Sequence, residues 1–446
     1  MRTKRASGRS HLCGFVGAFE QLISAAKLEE ASRYKKSARG RPPKLSVGDL
    51  VGALVFHVMN GAGSLVEHLA MLTGISLSGS SASERRQALP WEVFARILDV
   101  ALSPLAQAGK HPQAFYHGLR LVAIDGTQFS LVNTPQILRE CTKAASRRLK
   151  AAFAKLNAVV MLEVGLHHPL AAAIDPACSE WALALQLVGK LPARGLLLAD
   201  RLYGCARFVW GLLERCEQEG SFFLVRARLQ LQSTVVRRLK DGSALVRVPL
   251  RAAAGRRKIE RYFELREIWV KVSRPGFRAH RLRLWTNLLD AEAHPAQELV
   301  RLYTQRWEHE LYYRQMKLEL RRSELLQSQT VETAAQEVAA LVLATALIAK
   351  ERAQAAAGEL PVLRVSFVKV LELLQPLWLV FALGEDLLSQ RQKHQLVDRF
   401  YQQMRAMATG KRRSRSCPRV VRQPVRDWPR KTKNISHEGE INYEIA

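Results

Sequence analysis

A set of apolar, β-branched segments in the middle of the chain constrains its fold more than any other feature. Leu119 to Ile124, Ala158 to Val164 and Gly195 to Ala199 have the composition of buried strands, and Pro169 to Ile174 is a weaker strand. Between the last two of these strands, Ser179 to Val188 has a helical pattern. The sequence therefore predicts three strands, a helix and a fourth strand, in that order.

The charge balance limits the classes of partner. Among 446 residues, Lys and Arg number 68 and Asp and Glu 40, a net charge of +28. This charge favours nucleic acid as the partner and makes an anionic membrane surface the weaker alternative. The best apolar run, Val338 to Ala349, is shorter than the roughly 20 residues of a membrane span. It is predicted to be a buried helix, and no membrane partner is expected. Six cysteines without a CxxC pair favour reduced thiols in a cytoplasm.

The N-terminal part of the chain is predicted to be helical and basic. Five basic residues surround the turn signal Gly40 to Pro43: Lys35, Lys36, Arg39, Arg41 and Lys44. Ser46 and Asp49 resemble a capping box that opens a helix ending at Met59. A second helix is predicted over Ser64 to Thr73, a loop over Ser76 to Ser83, and a short helix from Ser83. These elements suit a DNA-binding domain, although composition alone favours an ordinary helical bundle with solvated lysines.

The predicted order of strands is that of the ribonuclease-H-like layered fold. Between Phe222 and about Leu289, short alternating runs separated by Asp241-Gly242 and Pro275-Gly276 turns predict a mostly β insertion. The fold class is therefore α/β: a ribonuclease-H-like catalytic core with a mostly β insertion, flanked by an α-helical N-terminal DNA-binding domain and a helical, basic C-terminal region. The predicted domains are residues 1–108 (N-terminal), 109–221 (first part of the core), 222–290 (insertion), 291–350 (second part of the core), 351–410 (C-terminal helices) and 411–446 (basic tail).

Three carboxylates have the positions that metal-dependent phosphoryl transfer requires. Asp125 and Asp200 each directly follow an apolar strand, and Glu310 lies in a helical pattern. Two such aspartates and a helical glutamate can bind two Mg²⁺ ions, which prefer oxygen ligands and stabilise the attacking and leaving oxygens. Taken singly, an Asp-Gly pair after a strand more often indicates a turn. His167-His168 is predicted to lie in an exposed turn, because no third metal ligand is suitably spaced.

The residues around Glu310 have a regular spacing. Tyr303, Arg306, Glu310 and Lys317 follow the pattern Y-x2-R-x3-E-x6-K. At about 100° per residue, a continuous α-helix places all four within a wedge of roughly 60°, and Arg314 joins them. Basic groups on this face can hold DNA phosphates while Glu310 binds metal. A salt-bridged exposed helix predicts the same spacing, since Glu310 lies four residues from both arginines.

This pattern is the signature of the IS-four family of bacterial DDE transposases, and the chain matches all four positions. Asp125-Gly126-Thr127 resembles the first catalytic motif of the family. Asp200-Arg201-Leu202-Tyr203 resembles the second, in which Gly is commoner than Leu202. The resemblance covers about Leu119 to Lys350. It implies a catalytic and metal-binding triad of Asp125, Asp200 and Glu310, with Mg²⁺ as the cofactor and Mn²⁺ as a substitute.

The resemblance also implies partners and DNA contacts. Tyr303, Arg306 and Lys317 would contact phosphates at the transposon end, and Arg314 shares their face. Arg201 would hold DNA or pair with a carboxylate. Trp307 is assigned to the core. The basic N-terminus and tail would bind the terminal inverted repeats. The protein is expected to act as a homodimer on double-stranded transposon and target DNA. It is expected in a bacterial cytoplasm, associated with the nucleoid when bound to DNA.

The implied activity is that of an insertion-sequence transposase. Such an enzyme binds the terminal inverted repeats, cleaves the DNA at the element ends and joins the 3′-OH to target DNA by metal-dependent phosphoryl transfer. The alternative from a different class is a transposase-derived, sequence-specific DNA-binding protein or repressor without catalysis, which needs no triad. A ribonuclease-H-like nuclease that acts on RNA is a lesser alternative, because its strand plan and metal site would look alike.

Overall fold

The computed structural model describes residues 45–141, 143, 151–252, 258–273, 279–320, 323, 325–384, 387–410 and 442–445. The chain forms two compact units. Unit 1 contains the described residues up to Phe115, Asp125–Lys190 and Glu308–Thr409, and unit 2 contains Tyr116–Ile124, Leu191–Trp307 and the described residues from Gly410 onward. The basic cluster Lys35 to Lys44, the tail Lys411 to Lys433 and the Pro275-Gly276 turn lie outside the described residues. The predicted division into domains stays a prediction.

The described helices are, in chain order, α1 (Val47–Met59), α2 (Leu65–Thr73), α3 (Gly79–Gln87), α4 (Trp91–Ala101), α5 (Pro135–Glu140), α6 (Glu180–Val188), α7 (Ala206–Glu219), α8 (Ala296–Tyr303), α9 (Glu308–Arg314), α10 (Val331–Ala356), α11 (Phe367–Leu383) and α12 (Gln390–Ala406). Short 3-10 turns cover Pro112–Ala114, Thr304–Trp307 and Val362–Arg364, and a π-helical turn covers Gln315–Leu320.

The described strands are β1 (Phe115–Tyr116), β2 (Leu119–Ser130), β3 (Lys155–Glu163), β4 (His168–Asp175), β5 (Gly195–Ala199), β6 (Phe222–Arg226), β7 (Thr234–Arg238), β8 (Ala244–Arg251), β9 (Ile259–Ser273), β10 (His280–Thr286) and β11 (Asn442–Ile445). The predicted order of three strands, a helix and a fourth strand is confirmed by β2, β3, β4, α6 and β5. The protein is thus of the mixed α/β class.

The N-terminal helices begin where their capping residues predict. Ser46 and Asp49 form the predicted capping box, and α1 ends at Met59 as predicted. Ser64 caps α2 in the same way. The predicted loop over Ser76 to Ser83 is wrong in part, because α3 already begins at Gly79. The Ser78 hydroxyl accepts a hydrogen bond from the Ser81 backbone N–H, so this serine starts a helix instead of extending a loop.

Unit 1 is built around α10. Phe56 of α1, Val160 of β3 and Phe400 of α12 belong to the same hydrophobic core as Leu341 of α10, so the N-terminal helices share the core of this unit. The predicted buried helix Val338 to Ala349 is confirmed, although α10 is longer at both ends. Among the described helices, only α10 has the length and apolar composition of a membrane span, and most of its apolar stretch is buried in unit 1.

The strands of each unit follow a simple order. In unit 2 the order is β2-β5-β6-β10-β9-β8-β7, with β11 beside β9. The ladders from β2 to β5 and from β5 to β6 are parallel, and β6 pairs with β10 antiparallel. In unit 1, β3 and β4 are antiparallel. The predicted insertion begins with β6, which forms a parallel ladder with β5 on one side and an antiparallel ladder with β10 on the other.

A buried polar network stiffens the antiparallel part of unit 2. Arg283 is 2% exposed and lies between the rings of Trp269 and Trp285, 5.3 and 4.9 Å from their centroids. Its guanidinium pairs with Glu267 at 2.6 Å, and Glu267 also accepts hydrogen bonds from both indole N–H groups. Arg283 further donates to the backbone carbonyls of Arg228 and Leu231. The network therefore fastens the segment that follows β6.

Candidate active site

Asp125 and Asp200 follow two residues that are paired in one parallel ladder. In unit 2, Ile124 of β2 is the register partner of Ala199 of β5. Asp200 directly follows β5, as predicted, and its Oδ1 accepts a hydrogen bond from the Leu202 N–H at 2.5 Å. Asp125 does not follow its strand as predicted, because β2 continues to Ser130. The prediction is wrong because the ladder to β5 ends at Ile124 while the strand itself runs on into unit 1.

A glutamate that the sequence reasoning missed lies beside Asp125. A β carbon added to Gly126 would collide with the carboxyl group of Glu180, the first residue of α6. The glycine after Asp125 leaves room for the Glu180 side chain in this position, and a larger residue would require that flexible side chain to move. Ser179 is the N-cap of α6, so the helix begins at Glu180. The helical pattern of Ser179 to Val188 predicted the helix but not the contact with β2.

Tyr303 supports the end of β5 in this structure. It closes α8 and is buried, with 8% of its surface exposed. Its hydroxyl donates to the carbonyl oxygen of Ala199 at 3.3 Å, one residue before Asp200. Burial raises the pKa of Tyr303 to about 12, with a smaller opposing effect of the nearby Arg306. A neutral phenol held in this way supports the strand end before Asp200, and its predicted contact with a phosphate stays a prediction.

The signature segment is not the continuous α-helix that the spacing predicts. Between Tyr303 and Lys317 the backbone changes from α-helix to a 3-10 turn, back to the α-helix α9, and then to a π-helical turn. A 3-10 turn has about 3.0 residues per turn, and a π turn is wider than an α turn, so the projection at about 100° per residue fails. The chain passes from unit 2 to unit 1 inside this segment, between Trp307 and Glu308. Trp307 is 56% exposed, so its assignment to the core is wrong.

Helix α9 is anchored in unit 1 by three side chains on its buried face. His309 bonds through Nε2 to the Val160 carbonyl at 2.9 Å, and the Tyr312 hydroxyl bonds to Thr345 at 3.0 Å. The Tyr313 hydroxyl donates to the backbone carbonyl of Asp125 at 2.7 Å. Burial raises the pKa of Tyr313 well above its ordinary value, so it stays a hydrogen-bond donor. The helix that carries Glu310 is therefore fastened to the backbone of Asp125, while Glu310 itself is exposed.

The predicted DNA-contacting side chains differ in their surroundings. Arg314 and Arg201 are exposed, as a phosphate contact requires, and Arg306 is half-buried. Lys317 donates to the carbonyl of Gln128 at 2.9 Å, and its ammonium group lies 5.1 Å from the centroid of the Phe129 ring. Lys317 thus contacts the C-terminal part of β2, which belongs to unit 1.

The two adjacent histidines are buried, and their predicted placement in an exposed turn is wrong. His167 is 2% and His168 3% exposed. His168 begins β4 and bonds through Nε2 to the Ser103 carbonyl at 3.0 Å. His167 lies within hydrogen-bond distance of Glu308, at 2.7 Å, and Gln315, at 3.0 Å. Sequence reasoning missed these contacts because the partners lie more than 140 residues away along the chain.

The carboxylates have the donor chemistry for a divalent ion. Asp125, Asp200 and Glu310 offer only oxygen atoms, which Mg²⁺ prefers. Within the part of the chain that the structure describes, no group of three or more His, Cys, Asp or Glu side chains is gathered closely enough to hold a metal ion. The three carboxylates thus fit the ion by the chemistry of their oxygen atoms, and not by a cluster already formed among the described residues.

Comparisons with known proteins bear on the same residues. A family model described as a transposase DDE domain matches residues 116–347. The transposase InsG for insertion sequence element IS4 of Escherichia coli (strain K12) is 29% identical over 273 residues, which cover 60% of this chain and 60% of that protein. A solved structure, the cryo-EM piggyBac transposase synaptic complex with hairpin DNA, aligns with 92% of this chain and 88% of its own, at 11% identity and a TM-score of 0.46.

Proposed function

The chain belongs to the IS-four family of DDE transposases, and from this premise we propose that it catalyses the DNA cleavage and strand-transfer steps of an insertion sequence. The substrate would be double-stranded DNA with the terminal inverted repeats of the element, and the product a 3′-OH end joined to target DNA. The net charge of +28 supports a polyanionic substrate. The core would be ribonuclease-H-like, and the enzyme would act as a homodimer on DNA in the bacterial cytoplasm and nucleoid.

The observation that carries the proposal is the parallel register of Ile124 and Ala199 in unit 2. The residues after them, Asp125 and Asp200, would leave the ladder at the same edge, which is where a pair of metal-binding carboxylates is needed. Glu310 would complete the triad. The anchoring of its helix on the Asp125 carbonyl through Tyr313 supports this role.

The chain's own residues would hold and orient the reacting groups. Asp125, Asp200 and Glu310 would hold Mg²⁺, or Mn²⁺ in its place. When bound, the ions stabilise negative charge on the attacking and leaving oxygens of an in-line displacement. Arg306 has the fork geometry that suits a phosphate next to the scissile one. Arg314, Arg201 and Lys317 would add phosphate contacts, and Tyr303 would support the strand end before Asp200.

The test uses the full-length protein and the DNA that flanks its own gene. With Mg²⁺, wild-type protein should cut both element ends, and Asp125→Asn, Asp200→Asn or Glu310→Gln should abolish cutting while end binding survives. Asp175→Asn is the matched control, because Asp175 also ends a strand and caps its own turn, by accepting hydrogen bonds from the Ala177 and Cys178 N–H groups. It should cut normally.

Two results would contradict the proposal. Full cleavage in excess EDTA would exclude a metal-dependent reaction. Specific end binding without cleavage by wild-type protein in Mg²⁺ or Mn²⁺ would instead favour the non-catalytic DNA-binding protein.

A further inference from the structure

His167 occupies an unusual place between β3 and β4. It is almost completely buried, and its backbone has φ of 54°, in the left-handed region that non-glycine residues seldom adopt. Its Nε2 lies 2.7 Å from Oε2 of Glu308, and its Nδ1 lies 3.0 Å from the side-chain oxygen of Gln315. Both ring nitrogens therefore bond to the segment that carries Glu310.

The two partners of His167 mark the two ends of α9. Glu308 is the first residue of α9, and Gln315 directly follows its last residue. Both side chains reach the same imidazole ring, so Glu308 and Gln315 lie on the same side of this segment. Glu310 lies two residues after Glu308, about 200° around the axis, and is exposed. His167 thus holds α9 from the face opposite Glu310.

The proton positions of this contact follow from its partners. A carboxylate only accepts hydrogen bonds, so Nε2 carries a proton and donates to Glu308. Burial lowers the pKa of His167, against the opposing effects of Glu308 and Gln315, while the Arg352 charge lowers it further. A neutral ring is satisfied at both nitrogens when the amide of Gln315 turns its NH₂ group toward Nδ1, because amide O and N are interchangeable by rotation.

We propose that His167 is a positioning residue for the reaction: by bonding both ends of α9, it fixes the rotation and depth of the helix so that Glu310 is held ready for the metal ion. This inference rests on the proposed role of Glu310. Removing a group that orients a metal ligand without touching the metal typically lowers metal affinity or activity by about 10- to 100-fold.

The test variant is His167→Asn in the full-length protein. Asparagine tolerates the left-handed backbone but is too short to reach both partners. Ala357→Asn is the matched control, because Ala357 also has a left-handed backbone, with φ of 52°, and is an exposed residue of the same unit. Glu308→Gln is the second variant. It keeps the side-chain length but replaces the charged acceptor of the Nε2 hydrogen bond by a neutral amide oxygen, which weakens that bond.

Three quantities are measured at a temperature at which circular dichroism shows each variant folded: the Mn²⁺ concentration for half-maximal end cleavage, Mn²⁺ binding by electron paramagnetic resonance, and affinity for uncut end DNA. For His167→Asn we expect the Mn²⁺ requirement to rise about 10- to 100-fold, with weaker Mn²⁺ binding and unchanged end binding. Glu308→Gln should shift both Mn²⁺ readouts in the same direction, and Ala357→Asn should shift none. If His167→Asn does not fold, Glu308→Gln decides the question by the same readouts.

The outcomes separate this inference from the proposed function. If the His167→Asn and Glu308→Gln proteins only lose thermal stability, and their Mn²⁺ requirement and Mn²⁺ binding match wild type, His167 is merely structural and the inference is overturned. The Glu310→Gln protein is tested in parallel. If it binds Mn²⁺ and cleaves as wild type does, the proposed role of Glu310 fails instead.

Discussion

The turn after Asp200 offers a sharp test, because its glycine has no room for a side chain. Gly204 lies four residues after Asp200, and its carbonyl accepts a hydrogen bond from the Arg228 N–H at 3.1 Å. A β carbon on Gly204 would stand 2.8 Å from Cα of Ala227 and closer still to the carbonyl oxygen of Arg226, whereas real β carbons essentially never come within 3.0 Å of another atom. The obstructing atoms are backbone, and the Ala227 N–H is itself bonded to the Arg283 carbonyl at 2.8 Å.

The cost of Gly204→Ala follows from the two ways in which the clash can be relieved. Accepting the overlap costs about 1–3 kcal/mol, as for other overpacked sites. Moving the turn away instead breaks the bond from the Arg228 N–H and weakens those from its guanidinium to the carbonyls of Arg201, at 3.4 Å, and Leu202, at 3.1 Å. At about 0.5–1.5 kcal/mol for each bond, this route costs roughly 2–4 kcal/mol. Moving the turn would also displace Asp200, which lies four residues before Gly204.

We therefore expect Gly204→Ala to lower the free energy of unfolding by about 2–3 kcal/mol in urea titrations. It should also slow end cleavage at least about tenfold under conditions in which the protein is folded, because small displacements of reacting groups are costly. Gly189→Ala is the matched control, because a β carbon there meets no atom within 4 Å and the backbone φ is −64°. It should change stability by less than about 1 kcal/mol. The reasoning is refuted if Gly204→Ala is as stable and as active as Gly189→Ala.

Three further predictions concern groups away from the proposed active site. Burial raises the pKa of Glu351 from 4.5 to about 7, and the hydrogen bond from Tyr401 opposes this shift. Glu351 therefore stays protonated to a higher pH in the folded state than in the unfolded state. Stability should therefore fall by roughly 3 kcal/mol as the pH rises from about 4.5 through 7, and Glu351→Gln should remove this dependence in urea titrations at pH 5 and 8. Arg283→Ala leaves Glu267 buried without its cation, and calorimetry should show a loss of about 3–5 kcal/mol in the free energy of unfolding; a loss below about 1 kcal/mol would contradict this reasoning. Burial raises the pKa of Cys216 to about 12, so this thiol should resist iodoacetamide until urea unfolds the protein; labelling at native conditions would contradict its burial.

Elements with local signals could be predicted from the sequence. Ser46 and Asp49 cap α1 as predicted, because the capping box involves atoms only three residues apart. The prediction of a strand over Gly195 to Ala199 has the bounds of β5, because an apolar run of this length favours a buried strand over a helix. The position of Asp200 after this strand follows directly. The family signature likewise depends only on spacing along the chain, and the family it indicates is confirmed.

Contacts between residues far apart in the sequence hold the residues around the candidate site. The sequence predicts an exposed turn at His167 and a core position for Trp307, yet His167 is buried against α9 and Trp307 is exposed. The hydrogen bonds of Tyr303 to Ala199 and of Tyr313 to Asp125 join residues more than 100 positions apart, so no local sequence pattern predicts them. The shift from α to 3-10 and π turns within the signature segment has the same origin. A helix projection assumes one uniform twist, whereas contacts made elsewhere in the fold set the twist of each turn.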